Sequence, residues 1–408
     1  MKQYTASRTP RTPFSFLPRA QALAAVVLSA SLPGMLQAQT TPPPPDGNAA
    51  IGAVLFGVGF PSVHGNGRSC ATCHVPENAF QLTPEHVEAR FQALERRRLR
   101  NPSADDPLFR SLDANDFADD FTNLRTHALV RVFIELPTDA AGQKLMWPVD
   151  DPTATVVAVW RSTPTVMNSA FTAPYQLDGR QPTLQAQALG ALDGHSEITR
   201  DPKPRFLNDV AAFEEVLFSS PEVKLLSAAL ANGTTPPPTD PPLNVLEQRG
   251  KTLFEHHCAV CHGGPTQTVP LAALPPGIHN IHVSKPVPPF AADLPFAPSP
   301  IAPRLWAFRV PGQAAPVVLP STDPGMALLT GNPAQMNFFE IPTLYGSSKT
   351  APYFHDNSAA TLEDVVLHYQ LDFQALRRII PAVVPWPLRP DLILDDEIDP
   401  LIAYLNKI

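Results

Sequence analysis

Apolar residues recur at helical spacing through much of this 408-residue chain, whereas the strict alternation that is typical of strands is rare. The best strand patterns lie at 129–134 and 155–159, and the first overlaps the end of a predicted helix. The apolar spacing predicts helices at 84–98, 121–131, 183–192, 208–218, 222–231, 244–256, 361–370 and 396–406. The chain is therefore predicted to be mainly α, with few short strands.

One apolar pattern occurs twice. Gly52-Ala-Val-Leu-Phe56 in the first half corresponds to Gly250-Lys-Thr-Leu-Phe254 in the second half. Each pattern is the end of a predicted helix, and each lies shortly before a pair of cysteines. The sequence therefore predicts a duplicated plan, in which the two halves of the chain share the same arrangement of a helix followed by a cysteine pair.

All four cysteines lie in two Cys-x-x-Cys-His strings, at 70–74 and 258–262. This string is the attachment signal for c-type haem, in which two thiols bind the porphyrin and the adjacent histidine ligates the iron. A zinc site would need a further Cys or His pair close by, and a redox dithiol does not require the histidine. We predict two covalently bound haem c groups, held by Cys70, Cys73 and His74 and by Cys258, Cys261 and His262.

A helix that delivers a haem-binding cysteine loop is typical of class I cytochrome c domains, so two such domains are predicted. The linker at 231–238 places their boundary near residue 240. This gives an N-terminal haem domain at 48–240, with an insertion at about 85–155, and a C-terminal haem domain at 241–408. The 50 prolines make the gaps between helices long extended loops, and 285–324 is predicted to be a proline-rich surface loop.

The first 38 residues have the pattern of a secretory signal peptide. Residues 1–19 contain four basic side chains and no acidic one, an apolar run follows at 20–28, and small residues surround the exit at 36–38. The run is too short to span a membrane, and no later stretch approaches a span. Because haem c is attached outside the cytoplasm, we predict a periplasmic protein with a flexible leader at 39–47.

The net charge limits the class of partner. The formal charge of −8 becomes about −12 when the four basic residues of the signal peptide are removed. Such a charge argues against nucleic-acid binding. It fits ordinary solubility equally well as a neutral or basic partner, such as a small electron-donor cytochrome.

Several strings resemble the bacterial dihaem cytochrome c peroxidases and the related MauG enzymes. They cover the chain from 48 to 408 in matching order: 161–168, 178–180, Gln187 and Glu197 in the first half, then 341–344, 350–357 and 361–364 in the second. The resemblance implies a dihaem oxidoreductase that acts on peroxide.

The resemblance also implies roles around the first haem. It makes the iron ligated by His74 the peroxide-binding iron, with an open sixth position, and it places Glu197 at the catalytic carboxylate and Gln187 at the distal amide. A carboxylate there can move a proton between the peroxide oxygens while the amide orients them. Without the resemblance, Glu197 reads as a surface carboxylate and Gln187 as a solvated helix residue.

For the second haem, the resemblance places Tyr369 where the peroxidases carry methionine and MauG-like enzymes carry tyrosine, as the sixth iron ligand. A phenolate would lower the potential of that haem. A core tyrosine is the alternative for Tyr369, and Met326 and Met336 are competing ligands. His355 is expected to bind a haem propionate or to fix the Tyr369 helix, and Arg180 to bind a propionate.

The chain departs from the family pattern at two positions. Leu177 replaces the tryptophan that lies between the haems, which argues against a tryptophan relay; Trp160 and Trp306 are alternatives that also fit an ordinary core role. Ser162 replaces an asparagine that helps to hold calcium between the domains.

Calcium and a removable iron ligand are also predicted. Thr350 and Pro352, whose carbonyl oxygens would bind calcium, are retained, so calcium is predicted with an incomplete ligand set. No motif assigns a removable distal ligand to the first iron, although His86 and His127 are candidates. We favour a first haem that is always open.

Three functions fit these residues. The leading one is a periplasmic peroxidase that reduces hydrogen peroxide to water with electrons from a small cytochrome c or cupredoxin. The second is a MauG-like oxidase of a partner protein or organic substrate, which Tyr369 favours and Leu177 opposes. The third is a non-catalytic electron carrier, in which Glu197 and Gln187 would have no task. A homodimer is compatible with each.

Overall fold

Helices dominate this computed structural model, which describes residues 47–58, 65–269, 299–384 and 389–408. The helices are α1 (Ala49–Gly57), α2 (Pro84–Arg98), α3 (Thr122–His127), α4 (Leu184–Ser196), α5 (Pro204–Glu214), α6 (Pro221–Ala231), α7 (Val245–His257), α8 (Ala259–His262), α9 (Ala327–Thr330), α10 (Leu362–Ile379) and α11 (Asp395–Leu405). The strands are β1 (Val130–Glu135), β2 (Met146–Pro148), β3 (Val156–Arg161), β4 (Arg304–Phe308) and β5 (Val317–Ser321). The predicted helix-rich class with few short strands is therefore confirmed.

The predicted helix at 121–131 is wrong in its second half. Helix α3 ends at His127 because Ala128 adopts a left-handed conformation with φ 52°, and β1 begins at Val130. Strands β1 and β3 pair antiparallel, with Val132 opposite Val159. Both strand predictions in this region are confirmed.

Two close helix crossings repeat the same geometry. A Cβ atom on Gly52 of α1 would lie 1.9 Å from the carbonyl oxygen of Asp209 on α5, and one on Gly250 of α7 would lie 1.9 Å from that of Pro400 on α11. Glycine is therefore required at both crossings, since any side chain would meet backbone. Aromatic pairs fill the same crossings, with ring centroids 5.2 Å apart for Phe56 and Phe213 and 5.3 Å apart for Phe254 and Tyr404. The duplicated plan read from the sequence is present in three dimensions.

A second repeat precedes α4 and α10. The string Thr-Ala-Pro-Tyr occurs at 172–175 and 350–353, with a cis Ala–Pro peptide bond in each copy. The hydroxyl of Tyr175 donates to the carbonyl of Ser169 at 3.1 Å, and that of Tyr353 donates to the carbonyl of Ser347 at 2.9 Å. The helices that follow are therefore structural equivalents.

The expectation of a surface loop at 285–324 is wrong for its described part, 299–324, while 285–298 lies outside the described residues. Strands β4 and β5 occupy this part and form a three-stranded antiparallel sheet with β2, in the order β2-β4-β5. The side chains of Trp306 and Phe308 are buried at 1% and 0% exposure. Strand β4 itself contains no proline, and Pro320 of β5 lies opposite Leu305 of β4.

Helix α6 and the predicted insertion contribute to different apolar cores. Val223 and Leu226 of α6 pack in the same cluster as α7, α10 and α11. Within the predicted insertion, Val87, Leu94 and Leu124 form a separate cluster with residues of the first cysteine loop. The predicted signal peptide and the leader up to residue 46 lie outside the described residues. A membrane span requires a helix that is both long and apolar. Among the described helices, none is long and apolar enough to cross a membrane.

Candidate functional site

A cavity lies beside the first Cys-x-x-Cys-His string, and Cys70, Cys73 and His74 form part of its wall. One face of α4 forms another part, contributing Leu184, Gln187, Ala188, Ala191, Leu192 and His195. Most of this lining is apolar, with a few convergent polar groups, which is the character of a cofactor pocket. The lining therefore fits a haem attached through the two cysteines.

The ring of His74 is held for metal binding by the local backbone. Its Nδ1 lies 3.2 Å from the carbonyl oxygen of Phe80, a hydrogen bond that leaves Nε2 as the nitrogen for a metal. Ala79 and Phe80 both adopt left-handed conformations, with φ 52° and 61°, and turn the chain back toward the cysteine loop. Burial lowers the pKa of His74 to about 4, so the imidazole is neutral at pH 7, as a metal ligand must be.

The four cysteines lack the properties of a disulfide or of a reactive dithiol. None forms a disulfide. Burial raises the pKa of all four, to about 12 for Cys258 and about 11 for Cys261, whereas a reactive dithiol needs a lowered pKa. Among the described residues, no group of three or more His, Cys, Asp or Glu side chains could hold a metal ion, so a zinc site has no ligand set there.

The second string is arranged like the first. Nδ1 of His262 lies 3.1 Å from the carbonyl oxygen of Pro342, and burial lowers the pKa of His262 to about 4. Tyr369 of α10 packs in the same apolar cluster as Cys258. Burial raises the pKa of its phenol, and the nearby thiols of Cys261 and Cys258 raise it further. Tyr369 therefore lies at the second site, where the sequence predicts an iron ligand.

Met326 and Met336 stay competing predictions for the iron ligand of the second site. Met336 is buried in the cluster of Trp306 and β1–β4, not in that of Tyr369 and Cys258. The amide of Met326 donates to the carbonyl of Phe338 at 2.9 Å, at the start of α9.

The N-caps of α4 and α10 give the register between the two helices. The hydroxyl of Thr183 accepts from the amide of Ala186, and that of Thr361 accepts from the amide of Asp364. With these caps superposed, Ala191 is the equivalent of Tyr369. Where the second site presents a phenol, the first site presents a methyl group.

Of the two distal residues that are predicted for the first site, Gln187 lines the cavity and Glu197 does not. Gln187 lines the cavity together with His74. Glu197 follows the last turn of α4 with a left-handed φ of 48°, is exposed, and accepts a hydrogen bond from Nδ2 of Asn66 at 2.8 Å. It is absent from the cavity wall, whereas His195, which the sequence reasoning missed, is part of it. The four-residue spacing of Gln187, Ala191 and His195 is the sequence signal that could have found it.

Arg180 belongs to a buried charge network. Its Nη1 lies 2.6 Å from Oδ2 of Asp178, which also accepts from Nη1 of Arg161 at 2.5 Å. Nε of Arg161 donates to Asp323 at 2.6 Å and so ties the first half of the chain to the second. A propionate contact of Arg180 stays a prediction.

His355 lies between the halves. Its ring stacks on Phe339, with centroids 4.1 Å apart, and its carbonyl accepts from the amide of Ser162 at 2.6 Å. Ser162 therefore bonds to a residue that lies three positions after Pro352. The carbonyl oxygens of Thr350 and Pro352 are the predicted calcium ligands. Thr350 donates its hydroxyl to the carbonyl of Ser347 at 3.0 Å, and the calcium site stays a prediction.

One backbone segment joins the two sites. Glu340, Pro342 and Thr343 line the first cavity, while the carbonyl of Pro342 accepts from His262 of the second site. Leu177 lines the same cavity, and its carbonyl accepts from the amide of Glu340 at 2.8 Å. Leu177 thus lies against the segment shared by the sites.

The other candidates do not line the first cavity. His86 is in the first turn of α2, with its amide donating to Thr83 Oγ1, and His127 ends α3. Trp160 faces the guanidinium of Arg131 at 4.7 Å. Trp306 is in the core, with Nε1 donating to the carbonyl of Ser321 at 3.2 Å.

Two solved structures match most of this chain at low sequence identity. A MauG-like protein associated with microbial copper homeostasis is 18% identical, with a TM-score of 0.45 over 92% of this chain and 95% of that one. The diheme peroxidase BthA from Burkholderia thailandensis E264 is 15% identical, with a TM-score of 0.46 over 90% and 87% of the two chains.

Sequence comparisons give a family and two named relatives. The profile of the family "Di-haem cytochrome c peroxidase" matches residues 48–217, which contain the first Cys-x-x-Cys-His string. Cytochrome c551 peroxidase of Nitrosomonas europaea is 27% identical over 245 residues, 54% of this chain and 63% of the relative. Cytochrome-c peroxidase IdrP1 of Pseudomonas sp. strain SCT is 25% identical over 236 residues, 52% and 59% of the two chains.

The match spans about three fifths of the length of these curated relatives. Haem is the cofactor that the family description implies, which agrees with the two histidine and cysteine sites. The family profile and the curated relatives show that this chain is similar to di-haem cytochrome c peroxidases, which are oxidoreductases, over residues 48–217 and over about half of its length, respectively.

Proposed function

We propose that this chain is a periplasmic dihaem c-type peroxidase that reduces hydrogen peroxide to water at the first site and receives electrons through the second. The observation that carries the proposal is the difference between equivalent positions on α4 and α10. Ala191 lines the first cavity, whereas Tyr369 packs beside the second cysteine pair. An alanine cannot ligate iron, so the first site keeps space for a small substrate and the second does not.

In this proposal each haem is covalently attached. Cys70 and Cys73 bind one porphyrin with His74 as the iron ligand, and the second string binds the other with His262. When bound, the first haem supplies a redox-active iron with one free coordination position. The hydrogen bond from each histidine Nδ1 to a backbone carbonyl orients the ring and raises its basicity as a ligand.

The side chains of the first cavity would bind and orient peroxide. Gln187 presents an amide that can donate to one peroxide oxygen and accept from the other. The apolar side chains around it exclude water, which strengthens that hydrogen bond. Glu197 remains the carboxylate that family resemblance assigns to proton transfer, although it would have to leave Asn66 to reach the cavity.

The proposal also covers domain organisation, partners and ions. Two class I cytochrome c-like domains, divided near residue 240, are supported by the repeated crossings at Gly52 and Gly250. A small cytochrome c or cupredoxin supplies the electrons. Calcium at the carbonyls of Thr350 and Pro352 would stabilise the contact between the domains.

A MauG-like oxidase is the second candidate, and Tyr369 favours it. A phenolate on the second iron lowers its potential, so that haem accepts electrons poorly from an ordinary cytochrome. In that case peroxide-derived oxidising equivalents would be used on a partner protein or organic substrate. Leu177, which lies where a tryptophan relay would run, counts against a close functional equivalent.

The decisive experiment is stopped-flow spectroscopy of the dihaem protein mixed with stoichiometric peroxide, both fully oxidised and after one-electron reduction. Ala191→Tyr places a phenol over the first site and should abolish the reaction with peroxide, while Ala191→Val should only slow it. Tyr369→Met should raise the potential of the second haem.

The outcomes separate the candidates. Turnover only after reduction, with oxidation of an added cytochrome, supports the peroxidase. A long-lived high-valent spectrum from the oxidised protein supports the MauG-like oxidase. Absence of any spectral response in both states overturns both and leaves an electron carrier.

A further inference from the structure

Helix α4 carries a polar and titratable group on the same face as Ala191. Gln187, Ala191 and His195 follow each other at four-residue spacing, and all three line the first cavity. Four residues advance an α-helix by about 6 Å, so Gln187 and His195 lie about one turn to either side of Ala191. A small substrate over Ala191 would therefore have an amide on one side and an imidazole on the other.

The equivalent face of α10 makes the difference between the sites clear. In the register set by Thr183 and Thr361, His195 is the equivalent of Phe373, whose ring packs edge-on to Tyr369 with centroids 6.1 Å apart. The second site thus has an apolar ring beside its phenol. The first site has a ring of similar size that can hold a proton, beside an open position.

The position of His195 is fixed by its backbone. Its carbonyl oxygen accepts from Nδ2 of Asn66 at 3.0 Å and from Nη1 of Arg68 at 3.2 Å. Arg68 is itself buried and paired with Asp113 at 2.7 Å. The last turn of α4 is therefore bonded to the segment that precedes the cysteine loop, and His195 lines the cavity from this turn.

The charges that face His195 come from several elements. Burial lowers its pKa most, Arg68 and Arg180 lower it further, and Asp113 opposes them. The imidazole is therefore neutral at pH 7 and can accept a proton. His74, the proposed iron ligand, lies within electrostatic reach of it in the same cavity.

The other acidic groups near the cavity are less suited to proton transfer. Glu197 is exposed and bonded to Asn66. Glu214 is on α5, close to Cys70 at the attachment side of the cavity. Glu340 belongs to the segment shared with the second site, not to the face of α4 that carries Ala191.

We propose that His195 is the residue that transfers the proton at the first site, an inference that rests on the proposed peroxidase function. Its imidazole accepts the proton of one peroxide oxygen and donates it to the other. The O–O bond then breaks, and the protonated oxygen leaves as water with the bonding electron pair. The remaining oxygen becomes the second water with two electrons from the donor protein and two protons from solvent.

Cyanide binding to the ferric protein tests this role without turnover, because bound cyanide is the anion and a cavity base must take the proton of hydrogen cyanide. The association rate should fall at least tenfold in His195→Ala and in His195→Gln, with loss of the histidine-dependent inflection in its pH profile. Peroxide turnover, kcat/KM, should fall by about 10²–10⁴-fold in the same variants. Asp193→Asn, an exposed charge change on the same helix, should leave both unchanged.

Two results would overturn the proposal. In the first, both His195 variants bind cyanide at the wild-type rate while Glu197→Gln slows it, which makes the carboxylate the base. In the second, the ferric first haem is low-spin and becomes high-spin in His195→Ala, which makes His195 an iron ligand. If cyanide binding depends on His195 but peroxide is not turned over, His195 is still the base of the first cavity, and only the proposed peroxidase function is wrong.

Discussion

Nδ1 of His262 lies 3.1 Å from the carbonyl oxygen of Pro342, and Pro342 also lines the cavity that contains His74. The imidazole of the second site therefore bonds to backbone that forms a wall of the first. A change in that backbone alters the basicity of the His262 ring, and with it the potential of a haem bound there. The two sites thus share one peptide segment.

Thr343→Val should raise the potential of the second haem. The hydroxyl of Thr343 donates to the carbonyl of Thr266 at 2.6 Å and fixes this segment to the loop after His262. A hydrogen bond contributes about 1 kcal/mol, and a one-electron shift of 59 mV corresponds to about 1.4 kcal/mol. We expect a rise of up to about 40 mV by redox titration, because a looser Pro342 accepts a weaker bond from His262.

The matched control is Thr330→Val, an exposed threonine whose hydroxyl also donates to a backbone carbonyl, that of Met326. Its second-haem potential should equal that of the wild type. Equal potentials in both variants would show that the Thr343 bond does not hold the segment.

Gly52→Ala and Gly250→Ala should destabilise the fold by about 2 kcal/mol or more, because the new methyl group would meet a carbonyl oxygen at 1.9 Å and force the helices apart. Gly57→Ala is the control on the same helix as Gly52, since a Cβ there meets nothing within 4 Å. It should stabilise by about 0.5–1 kcal/mol through helix propensity. Guanidinium unfolding followed by circular dichroism measures the difference, and similar values for Gly52→Ala and Gly57→Ala would contradict the crossing geometry.

Several helix boundaries could be predicted from the sequence because local capping residues define them. Helix α2 begins after Thr83, whose hydroxyl accepts from the amide of His86, with proline at the first helical position. Helix α7 begins after Asn244, which forms a capping box with Glu247. Such signals lie within four residues of each other, so no knowledge of tertiary contacts is needed.

The strands β4 and β5 could not be predicted in the same way. Strand β4 pairs with β2, from more than 150 residues earlier in the chain, so its stability depends on a non-local contact. Strand β2 has only three residues, Met146–Pro148, which are too few to show an alternation of apolar and polar positions. The prolines around β4 and β5 favour the prediction of a loop.

Only part of the candidate site is encoded in local sequence. The Cys-x-x-Cys-His strings identify the attachment residues directly, because their chemistry depends on sequence neighbours. His195 depends instead on which face of α4 meets the cavity. The two Thr-Ala-Pro-Tyr strings, when aligned with each other, pair Ala191 with Tyr369, so this equivalence is contained in the sequence itself.

Glu214→Gln should remove a loss of stability at rising pH. Glu214 is 3% exposed, lines the first cavity, and is the equivalent of the apolar Leu405 on α11. Burial raises its pKa to about 8 from 4.5. Between those values the unfolded chain releases the proton while the folded protein keeps it, so the free energy of unfolding falls by about 1.4 kcal/mol per pH unit.

This loss is absent below pH 4.5 and complete above about 8. Guanidinium unfolding between pH 5 and 8 should therefore show a smaller decline in Glu214→Gln than in the wild type. Glu222→Gln is the control, because hydrogen bonds to backbone and to Ser220 lower the pKa of Glu222. A Glu214→Gln profile parallel to the wild type would mean that Glu214 is solvated in the folded protein.

Arg161→Met should destabilise the fold by about 3–5 kcal/mol, because it leaves buried carboxylates without their cation. Arg161 is 2% exposed and binds Asp178 and Asp323, each at most 1% exposed. Asp178 keeps Arg180, but Asp323 loses its only ion pair among the described residues. Burial alone would raise the pKa of Asp178, and Arg161 and Arg180 lower it instead, so the variant should also unfold at a higher pH on acidification.

The exposed pair of Arg304 and Asp150, 2.6 Å apart with Asp150 67% exposed, provides the comparison. Asp150→Asn should cost less than about 1 kcal/mol, because solvent screens that pair. Removing the stranded carboxylate along with the cation, in Arg161→Met with Asp323→Asn, should recover part of the loss, since Asp178 keeps Arg180 and the cost of Arg161→Met is mainly that of stranded charge at Asp323. No recovery in the double variant would instead assign the loss to the packing of the Arg161 side chain between the two halves.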